Sequence, residues 1–135
     1  MPNRTFPGRY DSLSDIESFL LPVIHQVSFN PTQVYNIRLA VVEACTNMIE
    51  HGYGGEGKGK IVCSAESTPD GIKIILKNWG EPFDPDRVPE PDFDVDLQDL
   101  PGRGAGVYLM KRLMEEGRFT FDEDEGNTVV MIKRK

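Results

Sequence analysis

Glu43-Ala44-Cys45-Thr46-Asn47-Met48-Ile49-Glu50-His51-Gly52-Tyr53-Gly54 is the stretch on which the reading of this chain turns. Val34, Ile37, Val41, Ala44 and Met48 recur at helical spacing before and through it, so the periodicity predicts a helix from about Thr32 to His51. Glu43, Asn47 and His51 stand four residues apart, off that apolar stripe and on one face. Such a face must meet something polar. A carboxylate and a neutral amide oxygen four residues apart offer an acceptor or base beside a ligand atom, groups that suit a hydrated Mg²⁺ and its phosphates. A glycine-rich connection, Gly52 to Gly59, follows at once.

Three further motifs follow in order. Asn78-Trp79-Gly80-Glu81-Pro82-Phe83-Asp84-Pro85 comes first, then Gly102-Arg103-Gly104-Ala105-Gly106-Val107-Tyr108-Leu109-Met110, then Gly126-Asn127-Thr128. The first stretch resembles the N-box of ATPases with the GHKL (Bergerat) fold. The other three resemble that family's D-x-G-x-P-F-D-P, G-x-G-x-G-L/V and G-x-T boxes. Within the superfamily, the small size and the wording E-A-x-x-N-x-x-x-H-G-Y are most similar to the anti-sigma-factor serine kinases. The resemblance runs from about Leu13 to Lys133.

Length and composition set the frame. With 135 residues, 39% hydrophobic and 27% charged, one domain with a packed core is expected. No apolar run approaches the ~20 residues of a membrane span, and Met1-Pro2-Asn3-Arg4 does not open a signal peptide. Cys45 and Cys63 lack metal-site or redox spacing and read as reduced core thiols. A cytoplasmic location is expected from these features. The formal net charge of −7 argues against nucleic acid as a direct partner.

Along the chain, Arg4 to Tyr10 is a weak edge-strand candidate. Leu13, Ile16, Phe19, Leu20, Val23, Ile24 and Val27 define a first helix, with Ser14 and Glu17 spaced as a capping box. Pro31 suits the first turn of the second helix. Lys60 to Ser67 and Ile72 to Asn78 are strands joined by Thr68-Pro69-Asp70-Gly71. Glu81 to Gly102 is a long acidic, proline-rich loop, a length that usually signals function. A third helix is expected from Gly104 to Glu116, then strands Arg118 to Asp122 and Thr128 to Lys133. This order favours α+β, a two-layer α/β sandwich with a mainly antiparallel mixed sheet and three helices on one face. The GHKL resemblance implies the same architecture.

Each candidate residue carries a physical reading. Asn47 offers a neutral oxygen, and the resemblance implies that it binds Mg²⁺. Glu43 can accept or orient a hydroxyl proton, and the resemblance implies the catalytic base. His51 ends the helix, where it can cap the dipole or face the nucleotide. Gly102, Gly104 and Gly106, with Arg103, Ala105 and Val107, precede a helix N-terminus and suit the close approach of phosphate oxygens. The resemblance places Asn78, Gly80, Phe83 and Thr128 on the base side. Asn78 departs from the family, which has Asp there to accept the adenine amino proton. An amide oxygen still accepts, without charge assistance, so a loss of about 1 kcal/mol in affinity is expected. Trp79 reads as a packing residue at the pocket edge.

The resemblance implies an ATP- and Mg²⁺-dependent protein serine/threonine kinase acting as an anti-sigma factor. The implied partners are an RNA polymerase sigma factor, an anti-anti-sigma (STAS-type) protein phosphorylated on serine or threonine, and a second copy of the chain in a homodimer. Two alternatives stay open. Asn78 favours a switch that binds partners with weak nucleotide binding or none. The ATPase module of a histidine kinase is disfavoured, because 135 residues leave no dimerisation helix with an acceptor histidine, and His25 lies on a short helix without that context.

Overall fold

The computed structural model describes residues 1–81 and 112–135. The acidic loop, Phe83, the Gly102 to Val107 motif and most of the expected third helix lie outside the described residues. The elements run β1 (Asn3–Pro7), α1 (Ser12–His25), α2 (Pro31–Asn47), a π-helical turn (Met48–Gly52), β2 (Lys60–Thr68), β3 (Gly71–Asn78), β4 (Glu116–Asp122) and β5 (Gly126–Arg134). The strands form one sheet in the order β1-β2-β3-β5-β4. Every pairing in it is antiparallel, so no mixed sheet is seen among the described strands.

Period-two burial sets the inner face of this sheet. Ile61, Cys63 and Ala65 of β2, Ile72, Ile74 and Leu76 of β3, and Val129 and Met131 of β5 are buried, with half-covered residues between them. Ile16, Leu20 and Ile24 of α1 and Ile37, Ala40, Val41 and Ala44 of α2 join them in one core. Each fully buried Ile or Leu contributes roughly 1.5–3 kcal/mol. Phe6 of edge strand β1 meets Phe19 of α1 edge to face, with centroids 6.0 Å apart. The free thiols of Cys45 and Cys63 sit in this core, where burial pushes Cys63 up to about 12 and raises Cys45 as well.

The termini of the helices differ from the sequence expectation. Helix α1 is capped at Asp11 with no side-chain hydrogen bond, not by a Ser14–Glu17 box. The N–H groups of Ser12 and Leu13 already reach the carbonyls of Arg9 and Tyr10, so the helix starts earlier and Ser14 lies inside it. Glu17 instead pairs with Arg38 of α2 at 3.2 Å. The capping box belongs to α2, where the Asn30 side chain accepts from Gln33 N–H at 2.8 Å and the Gln33 side chain accepts from Asn30 N–H at 2.9 Å. Pro31 occupies the first turn, as expected.

Helix α2 does not reach His51 as an α-helix. After Asn47 it widens into the π turn, where Tyr53 N–H donates to Met48 O at 2.9 Å. Strand β4 begins at Glu116, two residues earlier than expected, because pairing with β5 starts at Glu116 opposite Ile132. Helical backbone ends at residue 113, and Met114 turns into the core. Strand β5 is also longer than expected and pairs with β3 back to Asn78 opposite Asn127.

Candidate functional site

The C-terminal end of α2 crosses the end of the sheet where β3 finishes and β5 begins. Asn47 is the last residue of α2, Asn78 the last of β3, and Asn127 and Thr128 follow Gly126 at the start of β5. The register pairs Asn78 with Asn127 and Lys77 with Thr128. A cleft forms there, lined by Ala44, Asn47, Met48, Asn78, Asn127 and Thr128, with Gly52, Glu81, Val129 and the β4 residues Phe119 and Thr120 completing its wall.

Asn47 is the outlier in this cleft. Its Oδ1 is buried and has no hydrogen-bond partner, the one such side-chain atom among the described residues. An orphaned buried amide oxygen costs about 1–3 kcal/mol. A polar or cationic group entering the cleft would remove that cost. A neutral oxygen at the cleft wall fits a Mg²⁺ that keeps its waters and phosphates as remaining ligands. No cluster of three His, Cys, Asp or Glu side chains suited to a metal occurs among the described residues.

One turn earlier on α2 lies Glu43, half-buried. Burial, and then the charge of Glu50, hold its carboxyl above the ordinary glutamate range. Glu50 is itself fixed from two sides. The Tyr10 hydroxyl donates to it at 2.9 Å, and His51 Nε2 lies 3.7 Å from its other oxygen. His51 sits in the last turn of the π segment, a position that suits the dipole-capping reading. It is not among the residues lining the cleft.

Asn78 is 4% exposed, and its Oδ1 accepts from Gly80 N–H and from Asn127 Nδ2, each at 3.1 Å. Gly80 packs directly on Gly52. A Cβ on Gly80 would overlap the Gly52 backbone, and the neighbouring Glu81 N–H donates to Gly52 O at 2.7 Å. Gly126 has φ +79°, and a Cβ there would lie 2.6 Å from Asn78 O. The glycine of the last motif therefore serves the β3–β5 contact. Trp79 is 43% exposed at a pocket edge, packs against Gly126, where an added Cβ would lie 2.8 Å from its ring, and carries Lys60 Nζ 4.9 Å from its ring centroid.

Sequence reasoning did not single out Tyr53 or Asn127. The Tyr53 hydroxyl accepts Trp79 N–H at 2.9 Å and donates to Lys60 O at 2.5 Å. It ties the chain after the π turn to the start of β2 and the end of β3. Tyr53 was visible as the last letter of the first motif. Asn127 was visible only as the variable letter between Gly126 and Thr128.

The sequence pattern of the histidine kinase-like ATPase domain family matches residues 6–133. The chain belongs to the histidine kinase-like ATPase domain family. It is similar to the serine-protein kinase RsbW of Bacillus velezensis, 29% identical over 133 residues that cover 94% of this chain and 81% of that one. RsbW of Bacillus cereus is 28% identical over 131 residues, covering 94% and 80%. Among solved structures, the RsbU and RsbW domains of a Mycobacterium tuberculosis protein superpose with a TM-score of 0.63 at 14% identity. That match covers 99% of this chain and 32% of the other, so the family domain here spans about a third of that protein. The catalytic domain of histidine kinase ThkA gives a TM-score of 0.55 at 14% identity, with 100% and 99% covered. At 14% identity these two matches establish the α+β fold alone. Among the described residues, no helix of this ATPase-family domain is long and apolar enough to cross a membrane.

Proposed function

We propose that this chain is an ATP-binding protein serine/threonine kinase acting as an anti-sigma regulatory factor. The observation that carries the reading is the orphaned, buried Oδ1 of Asn47 in a cleft shared with Asn78 and Thr128. Bound Mg²⁺–ATP supplies the transferable phosphoryl group and neutralises its charge. Asn47 contributes one neutral oxygen to the metal. Glu43, on the same helix face, orients or accepts the proton of an incoming seryl hydroxyl at its carboxylate. Its raised proton affinity makes it a stronger base than an ordinary glutamate. Asn78, Gly80, Phe83 and Thr128 serve the base. The segment Gly102, Arg103, Gly104, Ala105, Gly106 and Val107 serves the phosphates. His51 steadies the end of the N-box helix.

The similarity to RsbW supports a serine side chain as acceptor. The proposed partners are a STAS-type anti-anti-sigma protein as substrate, a sigma factor as the bound target, and a second copy of the chain in a homodimer. A cytoplasmic location follows from those partners.

A second reading has one observation in its favour. Both lone pairs of Asn78 Oδ1 are engaged by protein donors, and position 78 brings no carboxylate to the base. That arrangement suits a partner-binding switch with weak nucleotide affinity. Calorimetric titration with ATP and ADP, with and without Mg²⁺, separates the two. Micromolar Mg²⁺-dependent binding, followed by phosphate transfer to a STAS-type protein, is the expected result for the kinase. Absence of binding at millimolar nucleotide would leave the switch.

A further inference from the structure

Trp79 and Phe121 are large apolar side chains that the fold leaves in water, 43% and 54% exposed. The register brings them to one end of the sheet. Asn78 of β3 and Phe121 of β4 pair with Asn127 of β5 from opposite sides, and Trp79 is the residue after Asn78. An open groove of about 510 Å³ lies there, with Trp79, Phe121 and Tyr53 in its lining. Single exposed apolar residues are ordinary, whereas large rings gathered in one concavity mark a contact surface. Tryptophan and tyrosine are also the residues that protein contacts favour at their centres. The groove is distinct from the cleft described above. It shares Gly52 and Glu81 with that cleft, and neither Asn47, Asn78 nor Thr128 lines it.

The charges of the groove say what it fits. Lys58, Glu81 and Glu123 line it. Lys58 Nζ already donates to Gly54 O at 3.3 Å, and Lys60 Nζ already lies 4.9 Å from the Trp79 ring centroid. Among the described residues, no ion pair engages the carboxylates of Glu81 and Glu123. The chain thus uses its own lysines and leaves the two carboxylates. Glu123 is exposed on a turn whose backbone is fixed, since Asp122 Oδ1 accepts from Asp124 N–H at 2.8 Å and from Glu125 N–H at 3.0 Å. The groove therefore asks for a cation, and the Trp79 ring has a second face to offer one. A guanidinium suits it better than an ammonium. It is planar, stacks on an aromatic face and forks to a carboxylate.

We propose that this groove docks an arginine-bearing segment of a partner protein, with the guanidinium stacked on Trp79 and paired with Glu81 or Glu123, and a neighbouring apolar side chain of the partner against Phe121. The net charge of −7 draws such a basic segment toward the chain. The surface stands apart from the nucleotide cleft, so the proposal holds or fails independently of the kinase reading.

Trp79 is the single tryptophan of the sequence, so intrinsic fluorescence reports on the groove directly. The probe is an amidated arginine–leucine–arginine peptide titrated into the full chain. A saturable change in emission is expected, with a dissociation constant of about 1 mM or below. The lysine–leucine–lysine peptide is expected to bind at least about threefold more weakly, and the glutamate–leucine–glutamate peptide not to saturate. Phe121→Ser and Glu123→Gln change exposed side chains and keep the reporter, and each is expected to weaken the arginine peptide several-fold. No saturation by about 10 mM arginine peptide overturns the proposal. Equal or tighter binding of the acidic peptide overturns it too, and assigns the groove to an acidic partner. Unchanged affinity in both variants moves the peptide to another surface and removes the groove. Emission that instead changes with protein concentration alone, together with a dimer in sedimentation that Phe121→Ser abolishes, replaces the partner with a second copy of the chain.

Discussion

The Tyr53 hydroxyl accepts the backbone N–H of Trp79 at 2.9 Å, and so joins the turn after the N-box helix to the residue that follows Asn78. The same oxygen donates to Lys60 O. Tyr53→Phe removes one oxygen and leaves a donor and an acceptor without it. About 1–2 kcal/mol of stability is expected to be lost, read as a lower urea midpoint at unchanged slope. Because the clasp sets the position of residue 78, nucleotide affinity is expected to fall with it. Full affinity in a destabilised Tyr53→Phe would separate the clasp from the site.

Asn47 gives a prediction in which stability and binding move in opposite directions. Its buried, unpartnered Oδ1 is a cost to the ligand-free fold. Asn47→Ala removes that cost and replaces a poor helix former with the best one. The ligand-free variant is expected to be at least as stable as the wild type, by up to about 1 kcal/mol. Saturating Mg²⁺–ATP at a hundred times its dissociation constant stabilises a binding chain by about 2.7 kcal/mol. The wild type is expected to show that rise in thermal denaturation and the variant none. An equal rise in both would take Asn47 out of the metal site.

The layered α+β fold was legible because burial follows simple periods. Ile16, Leu20 and Ile24 repeat at helical spacing, and Ile61, Cys63 and Ala65 alternate. Element ends were less legible, because backbone groups compete with side chains for the same role. Arg9 and Tyr10 carbonyls displaced the cap expected from Ser14, and the carbonyl of Met48 drew Tyr53 N–H into a π turn. Within the site, Asn47, Asn78 and Thr128 were named from motifs, and the fold brings them to one cleft. Asn127 was not, because its part depends on lying opposite Asn78 across two strands, a relation set by register. Phe83 and the Gly102 to Val107 motif lie outside the described residues.

Gly80 tests how tightly the turn after β3 is built. Its φ is not in the left-handed region, so the demand for glycine is one of space. An added methyl would meet the Gly52 carbonyl and push against the hydrogen bond from Glu81 N–H to that oxygen. Gly80→Ala is expected to cost about 1–3 kcal/mol, as an overpacked contact does. Chemical denaturation reads this directly. A loss below about 0.5 kcal/mol, the range of ordinary surface substitutions, would show that the two loops separate easily.

Glu43 combines a pH dependence with a rate. Burial and the Glu50 charge raise its proton affinity in the folded chain above that of the unfolded one. Between the unfolded and folded pKa values, the native state holds more protons. Stability therefore falls as pH rises through that window and stays lower above it. Glu43→Gln lacks this penalty. The variant is expected to match the wild type below the window and to exceed it at neutral pH by a few tenths of a kcal/mol, about what a half-exposed, solvent-screened charge is worth. In the same variant, phosphate transfer to a protein serine is expected to slow by at least ~10²-fold while Mg²⁺–ATP affinity holds. A carboxylate kept at a cost to stability and needed for transfer is the pattern of a functional group. Normal transfer by Glu43→Gln would instead make Glu43 a structural residue, and the base would have to be sought elsewhere.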